Sequence, residues 1–227
     1  MAEQRFALIV GAGAGLSAAL ARKAHLEGLT PLLAARNTDK LANLLAEVSG
    51  HARPCDASDP ASVAALFEWV TSSFGVPELV IYNASARVRG PIAEIDPEEV
   101  RAAVSITAFG GFLVGQAAAQ AMASRGSGSI LFTGASASVK GYVNSASFAM
   151  GKFALRGLAQ SMARELAPKG IHVGHFVIDG GIGESEDPAN PTRLHPDHIA
   201  ASYFHMHNQP RSAWTWEMEM RPFVEKF

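Results

Sequence analysis

The sequence predicts an α/β fold: one doubly wound parallel sheet of about seven strands, with helices on both faces. Three observations predict it. Short apolar runs alternate with helical patterns along nearly all of the 227 residues, the order that builds a parallel sheet with right-handed crossovers. A glycine-rich turn joins the first apolar run to the first helical pattern. The composition, 48% hydrophobic and 18% charged, supplies a sizeable core, and no linker, repeat or low-complexity block divides it, so residues 1–227 read as one domain.

Each element has a local reason. Phe6 to Val10 is an apolar run of buried-strand length, and Leu16 to Leu26 follows as a helix. Gly28 ends that pattern, and Pro31 to Ala35 reads as a second strand. Asn37-Thr38-Asp39 offers a cap for a helix carrying Leu41, Leu44, Leu45 and Val48 at helical spacing. Ala52 to Cys55 is a short third strand. Asp59-Pro60 then supplies a cap and a first-turn proline for a helix with Val63, Leu66, Phe67 and Val70 on one face. Glu78 to Tyr82 is the fourth strand, a loop spans 86–96, and Pro97 opens a long Ala-rich helical region to about Arg125 containing Gly110 and Gly111. Ile130 to Thr133 is the fifth strand, Phe148 to Leu166 a helix, and Ile171 to Ile178 a sixth strand. Asp179 to Pro196, rich in Gly, Pro, Asn and acids, reads as a mobile loop. A short helix over 196–207 follows, and the alternating Trp214 to Met220 reads as a last strand.

Charge and cysteine content narrow the partners. A net charge of −2 and a pI near 6.4, without a basic block, point away from nucleic acid and anionic membranes. One cysteine, Cys55, cannot close an intramolecular disulfide, so a cytoplasmic setting is expected and a buried structural thiol is the ordinary reading. The N-terminus carries no apolar stretch or cleavage signature of a signal peptide, and the longest apolar region, 109–122, is taken as too short to span a bilayer.

In a doubly wound sheet, ligands bind at the carboxyl ends of the strands, where strand order reverses. The loops there are Gly11–Ser17, Arg36–Asn37, Asp56–Ala57, Asn83–Ser85, Gly134–Ser147 and Asp179–Ile182. Strand, glycine turn, helix brings a pyrophosphate to helix N–H groups, although a glycine turn alone also serves merely to bend the chain. Together these loops resemble the short-chain dehydrogenase/reductase family over nearly the whole chain. Val10-Gly11-Ala12-Gly13-Ala14-Gly15-Leu16-Ser17 is similar to the family's T-G-x-x-x-G-x-G, keeping Gly11 and Gly15 and replacing its last glycine by Ser17. Tyr82-Asn83-Ala84-Ser85 half keeps N-N-A-G. Asp56 falls where the family's aspartate holds the adenine, and Gly157 to Val173 is the most specific match.

The resemblance implies a Rossmann fold and a dinucleotide held by Gly11, Gly13, Ala14, Gly15, Leu16, Arg36, Asn37, Asp56, Ala57, Asn83, Ala84, Lys152 and Ile182. The end of the second strand carries no acid; Ala35 is followed by Arg36, whose charge suits a 2′-phosphate. NADP(H) is therefore expected, with NAD(H) as the alternative. The family's catalytic Tyr-x-x-x-Lys falls on Phe148-Ala149-Met150-Gly151-Lys152, so Lys152 is present and Phe148 stands where the tyrosine is expected. The family's serine falls at Ala135, with Ser136 and Ser138 close by, and its asparagine falls at Thr107.

Three functions follow. In the first, the chain moves a hydride between a nicotinamide and a small carbonyl or alcohol, Tyr142 reaching in as the acid and Ser136 or Ser138 polarising the oxygen. In the second, it is an inactive nucleotide-binding relative, a sensor or assembly partner. In the third, Lys152 and the serines do other chemistry. The resemblance also implies a substrate lid at about 179–208, a homodimer or homotetramer paired through the long helices, and a small-molecule substrate.

The remaining suspects have bland readings. No metal site is expected: His172 and His175 point to opposite strand faces, and His205 and His207 do not share a helix face. Arg87 and Arg89 fit a solvated loop, with an anionic substrate as the alternative, and the lid acids Glu184, Glu186 and Asp187 argue mildly against a strongly anionic one. Trp214 and Trp216 are expected on one face, packing in the core or at a subunit interface.

Overall fold

The computed structural model describes residues 4–187 and 189–225. Seven strands form one wholly parallel sheet in the order β3-β2-β1-β4-β5-β6-β7: β1 (Arg5–Val10), β2 (Leu29–Ala35), β3 (His51–Pro54), β4 (Leu79–Tyr82), β5 (Gly128–Thr133), β6 (Ile171–Ile178) and β7 (Glu217–Met220). Strand order reverses between β1 and β4, and a crevice opens there at the carboxyl ends.

The central strands are buried on both sides, so their residues alternate between two cores. Ala7, Ile9, Leu33, Ile81, Leu131 and Phe176 meet α1 (Leu16–Leu26), α2 (Ala42–Val48) and α7 (Pro196–His207). Leu8, Val10, Leu32, Val80, Tyr82 and Phe132 meet α3 (Pro60–Ser73), α5 (Gly110–Ala123) and α6 (Ala146–Leu166). The α3 start is as the sequence predicts: Asp59 accepts from the Ala61 N–H at 3.1 Å and Pro60 takes the first turn. α7 begins behind His195, whose ring accepts from the Asp197 N–H.

The long helix differs from its sequence reading. α4 (Pro97–Val104) and α5 are joined through a π-helical turn, Ser105–Phe109, into one 27-residue rod. By length and composition that rod is sufficient to cross a membrane; counting only 109–122 misses the polar first turns that extend it. Here its inner face covers the sheet, with Val114, Ala118 and Met122 fully buried. The π turn sits on Tyr82, whose hydroxyl donates to the Ile106 carbonyl. A Cβ at Gly110 would collide with that hydroxyl, so the glycine serves close approach of helix to strand. The last strand is also shorter than expected. Trp214 precedes it and stacks on His172 at 4.6 Å, because the Thr215 N–H and the Trp214 indole N–H are both taken by Gln209.

Candidate active site

Gly11 takes φ +91°, and a Cβ there would collide with the backbone of Asn83 and Ala84. Only glycine lets β1 turn this close to β4. Gly13 and Gly15 face open space. No side chain caps α1 and no acid stands in its first turn, so its N–H groups are left for an anion. Ser17 closes the turn. Its hydroxyl donates to the Gly11 carbonyl at 2.9 Å and accepts from the Asn83 amide at 2.7 Å. Ser17 thus ties the glycine turn to the end of β4, a role that spacing alone does not reveal.

Two cavities continue along the strand ends from this turn. One, of about 570 Å³, is lined by Gly11, Arg36, Asn37, Lys40, Asp56, Ala57 and Ala84. Asp56 accepts from the N–H and hydroxyl of Ser58, and these bonds, aided by Arg36, hold its carboxyl below the usual range. The other, of about 450 Å³, is lined by Gly13, Gly15, Leu16, Asn83, Arg87, Phe148, Lys152 and Ile182. Ala14 is exposed and lines neither cavity. Lys40 was not expected; it follows Arg36 by four residues and shares its cavity.

Lys152 is buried. Its ammonium donates to the Thr133 carbonyl at 2.6 Å and lies 5.6 Å from the Phe148 ring. Burial, then the nearby Arg87 charge, pulls its pKa down to about 7. A third cavity, of about 660 Å³, adjoins Phe148 and is lined by Arg87, Arg89, Ser136, Tyr142, Asn144 and Ser145. Tyr142 is exposed beside Lys140. Glu184, Glu186 and Asp187 line none of these cavities.

Ser138 is fully buried and turned away from the cleft. It accepts from the Ala135 N–H at 3.2 Å and lies 3.4 Å from His175 Nε2. His175 Nδ1 is 3.0 Å from Glu217, which Arg156 grips with two bonds. A carboxylate only accepts, so Nδ1 carries the proton and Nε2 accepts from Ser138. Burial pulls His175 down to about 4, so the ring is neutral. This chain braces the β5–α6 loop from behind. It resembles a nucleophilic triad in composition, but no solvent reaches its serine. Thr107 is likewise structural: its hydroxyl accepts from the Ala86 N–H and donates to the Ala86 carbonyl.

Among the described residues, no group of three His, Cys, Asp or Glu side chains is placed to hold a metal ion. A further cavity of about 670 Å³ lies at the amino ends of the strands, away from the glycine turn. Its arginines Arg5, Arg125 and Arg211 are engaged by Glu78 or by backbone carbonyls.

The comparisons agree with this geometry. The family model described as short chain dehydrogenase matches residues 5–182. An uncharacterized oxidoreductase of Staphylococcus aureus (strain N315) is 28% identical over 227 residues, covering 96% of this chain and 97% of that protein. A short-chain dehydrogenase from Rhodopseudomonas palustris superposes with a TM-score of 0.85 at 38% identity, covering 96% of this chain and 99% of that one. A metagenomic short-chain oxidoreductase in complex with NADP superposes at 0.85 and 26% identity, covering 97% and 98%.

Proposed function

We propose that this chain, which belongs to the short-chain dehydrogenase family, is an NADP(H)-dependent oxidoreductase that interconverts a small carbonyl compound and its alcohol through an altered proton-donating site. The observation that carries this reading is the continuous crevice from Arg36 and Lys40, past the open turn of Gly13 and Gly15, to Lys152. Its donor set fits a dinucleotide: cations for a 2′-phosphate, bare helix N–H groups for a pyrophosphate, and Asp56 at the adenine end. The bound cofactor supplies the hydride. NADP over NAD is supported by the missing acid after β2, by the charges of Arg36 and Lys40, which form no ion pair among the described residues, and by the NADP held in a related structure.

The chain's own groups supply the rest. Lys152 holds a proton at Nζ that burial makes easy to release near neutrality. Phe148 fills the expected tyrosine position without a hydroxyl, so the substrate oxygen takes its proton from another donor. Tyr142 and Ser136 line the adjoining cavity and are the donors we assign. Ser138 is withdrawn from that role by its burial against His175. A positioned acid contributes about 10²–10⁴-fold, so a rearranged donor slows turnover without abolishing it.

We extend the reading to assembly and to the lid. An apolar groove between α5 and α6, lined by Phe112, Leu158 and Met162, supports a homo-oligomer, and sedimentation analysis checks it. The segment ahead of α7 is assigned as the lid, with Ile182 at the nucleotide crevice; the expected stretch 196–208 drops out of it, because α7 buries Ile199, Tyr203, Phe204 and Met206 in the core. The test of function is NADPH oxidation with a panel of small carbonyl compounds, in wild type and Tyr142→Phe. Turnover lost in a folded Tyr142→Phe protein supports the assigned donor, and a silent substitution rejects it.

A further inference from the structure

We infer that the substrate is a carbonyl compound carrying a carboxylate, which Arg87 and Arg89 bind above the Phe148 ring. This rests on the hydride-transfer reading of the cleft and names the substrate class that the reading leaves open.

Arg87 stands at the junction of the Lys152 cavity and the neighbouring 660 Å³ cavity. Its guanidinium carbon lies 3.8 Å from the Phe148 ring centroid. The ring therefore keeps a task without its hydroxyl: it is a cation–π platform that aims the guanidinium along the cleft.

The loop holding Arg87 is fixed on both sides. The Ala86 backbone exchanges two hydrogen bonds with Thr107, and the Val88 backbone exchanges two with Ser147, at 3.0 and 2.9 Å. Both hydroxyl residues are buried. Gly90 donates to the Asn144 carbonyl. A solvated loop does not call for buried hydroxyls bracketing one arginine. The arrangement preorganises a binding group.

The charge is uncompensated. Arg5, Arg22, Arg101 and Arg156 each engage a carboxylate, whereas Arg87 and Arg89 form no ion pair among the described residues. Burial and the like charge of Arg89 both lower the Arg87 pKa, and no acid among the described residues opposes them. Two carboxylates share the cavity wall, Asp179 and Glu225. Asp179 is already held by Lys140 and Arg221, and Glu225 pairs with neither arginine. The wall thus carries surplus positive charge beside a group that handles protons. A planar guanidinium matches a carboxylate with two parallel bonds.

Two readouts separate this inference from the reading it rests on. The melting temperature of the NADPH-saturated protein is followed with pyruvate, acetoacetate, acetone and dihydroxyacetone phosphate. NADPH oxidation is followed with the same probes. The two carboxylates are expected to raise the melting temperature and to be reduced in preference to acetone. In Arg87→Gln their half-saturation rises about 10- to 100-fold more than that of acetone, the range for one charged hydrogen-bonding group. A carboxylate-dependent shift that disappears in Arg87→Gln, without reduction of any probe, supports the anion site and defeats the hydride reading. Equal behaviour of acetone and the carboxylates, an unchanged response in Arg87→Gln, binding of the phosphate probe alone, or no binding of any probe overturns the inference.

Discussion

Replacing Arg36 by alanine is expected to separate the two nicotinamide cofactors. Arg36 follows β2 immediately, is exposed, and lines the same cavity as Lys40 and Asp56. Its charge reaches Asp56 but forms no ion pair among the described residues, so it is free to meet a 2′-phosphate. A hydrogen bond to a charged group contributes about 1.5–3 kcal/mol net. Exposure and salt screening favour the lower end, about 1.5–2 kcal/mol, which is roughly 10- to 30-fold in Kd. NADH lacks the phosphate, so its affinity should change by less than about twofold on the same scale. The assay is fluorescence titration of both reduced cofactors into wild type and Arg36→Ala at two salt concentrations. The NADPH loss should shrink at the higher salt. Equal weakening of NADPH and NADH, or no change in either, refutes the reasoning.

Further outcomes follow from other parts of the structure. Lys152→Met tests the buried ammonium through stability: its folded pKa, about 7, lies below its usual 10.5, so burying the charge costs stability in full below about pH 7. The cost fades as pH rises from 7 through 10.5. Denaturant unfolding should therefore show wild type gaining on Lys152→Met by on the order of a few kcal/mol across that window, and parallel pH curves would contradict it. Gly134→Ala places a Cβ against the His175 ring and the Phe176 carbonyl, and thermal unfolding should show a loss of about 1–3 kcal/mol. Ser17→Ala leaves the Asn83 amide without its Ser17 partner and frees the Gly11 carbonyl. It should cost about 1–3 kcal/mol and weaken both cofactors alike in the same titration, in contrast to Arg36→Ala.

The sheet was legible because its strands are apolar runs of strand length separated by caps and breakers, and residues such as Asp59, Pro60 and Gly28 act locally. The crevice at the strand ends was legible for the same reason, since the glycine turn, Asp56 and Asn83 each follow a strand. What was not legible depends on contacts between distant segments. Ser138 and Ser136 are indistinguishable in sequence, yet only Ser138 meets His175 from β6, itself oriented by Glu217 from β7. Thr107 and Ser147 converge on Arg87 only because the π turn and the start of α6 flank one loop. A charged residue in a loop reads as solvated until those anchors are seen.

The most direct test of the account follows the label. The protein is incubated with NADPH deuterated at its transferable position and with pyruvate, acetoacetate or acetone, and the products are analysed by mass spectrometry. The account predicts deuterium on the carbinol carbon of an alcohol product, formed by wild type and lost or strongly reduced in Lys152→Met. NADPH binding without deuterium in any product would contradict it.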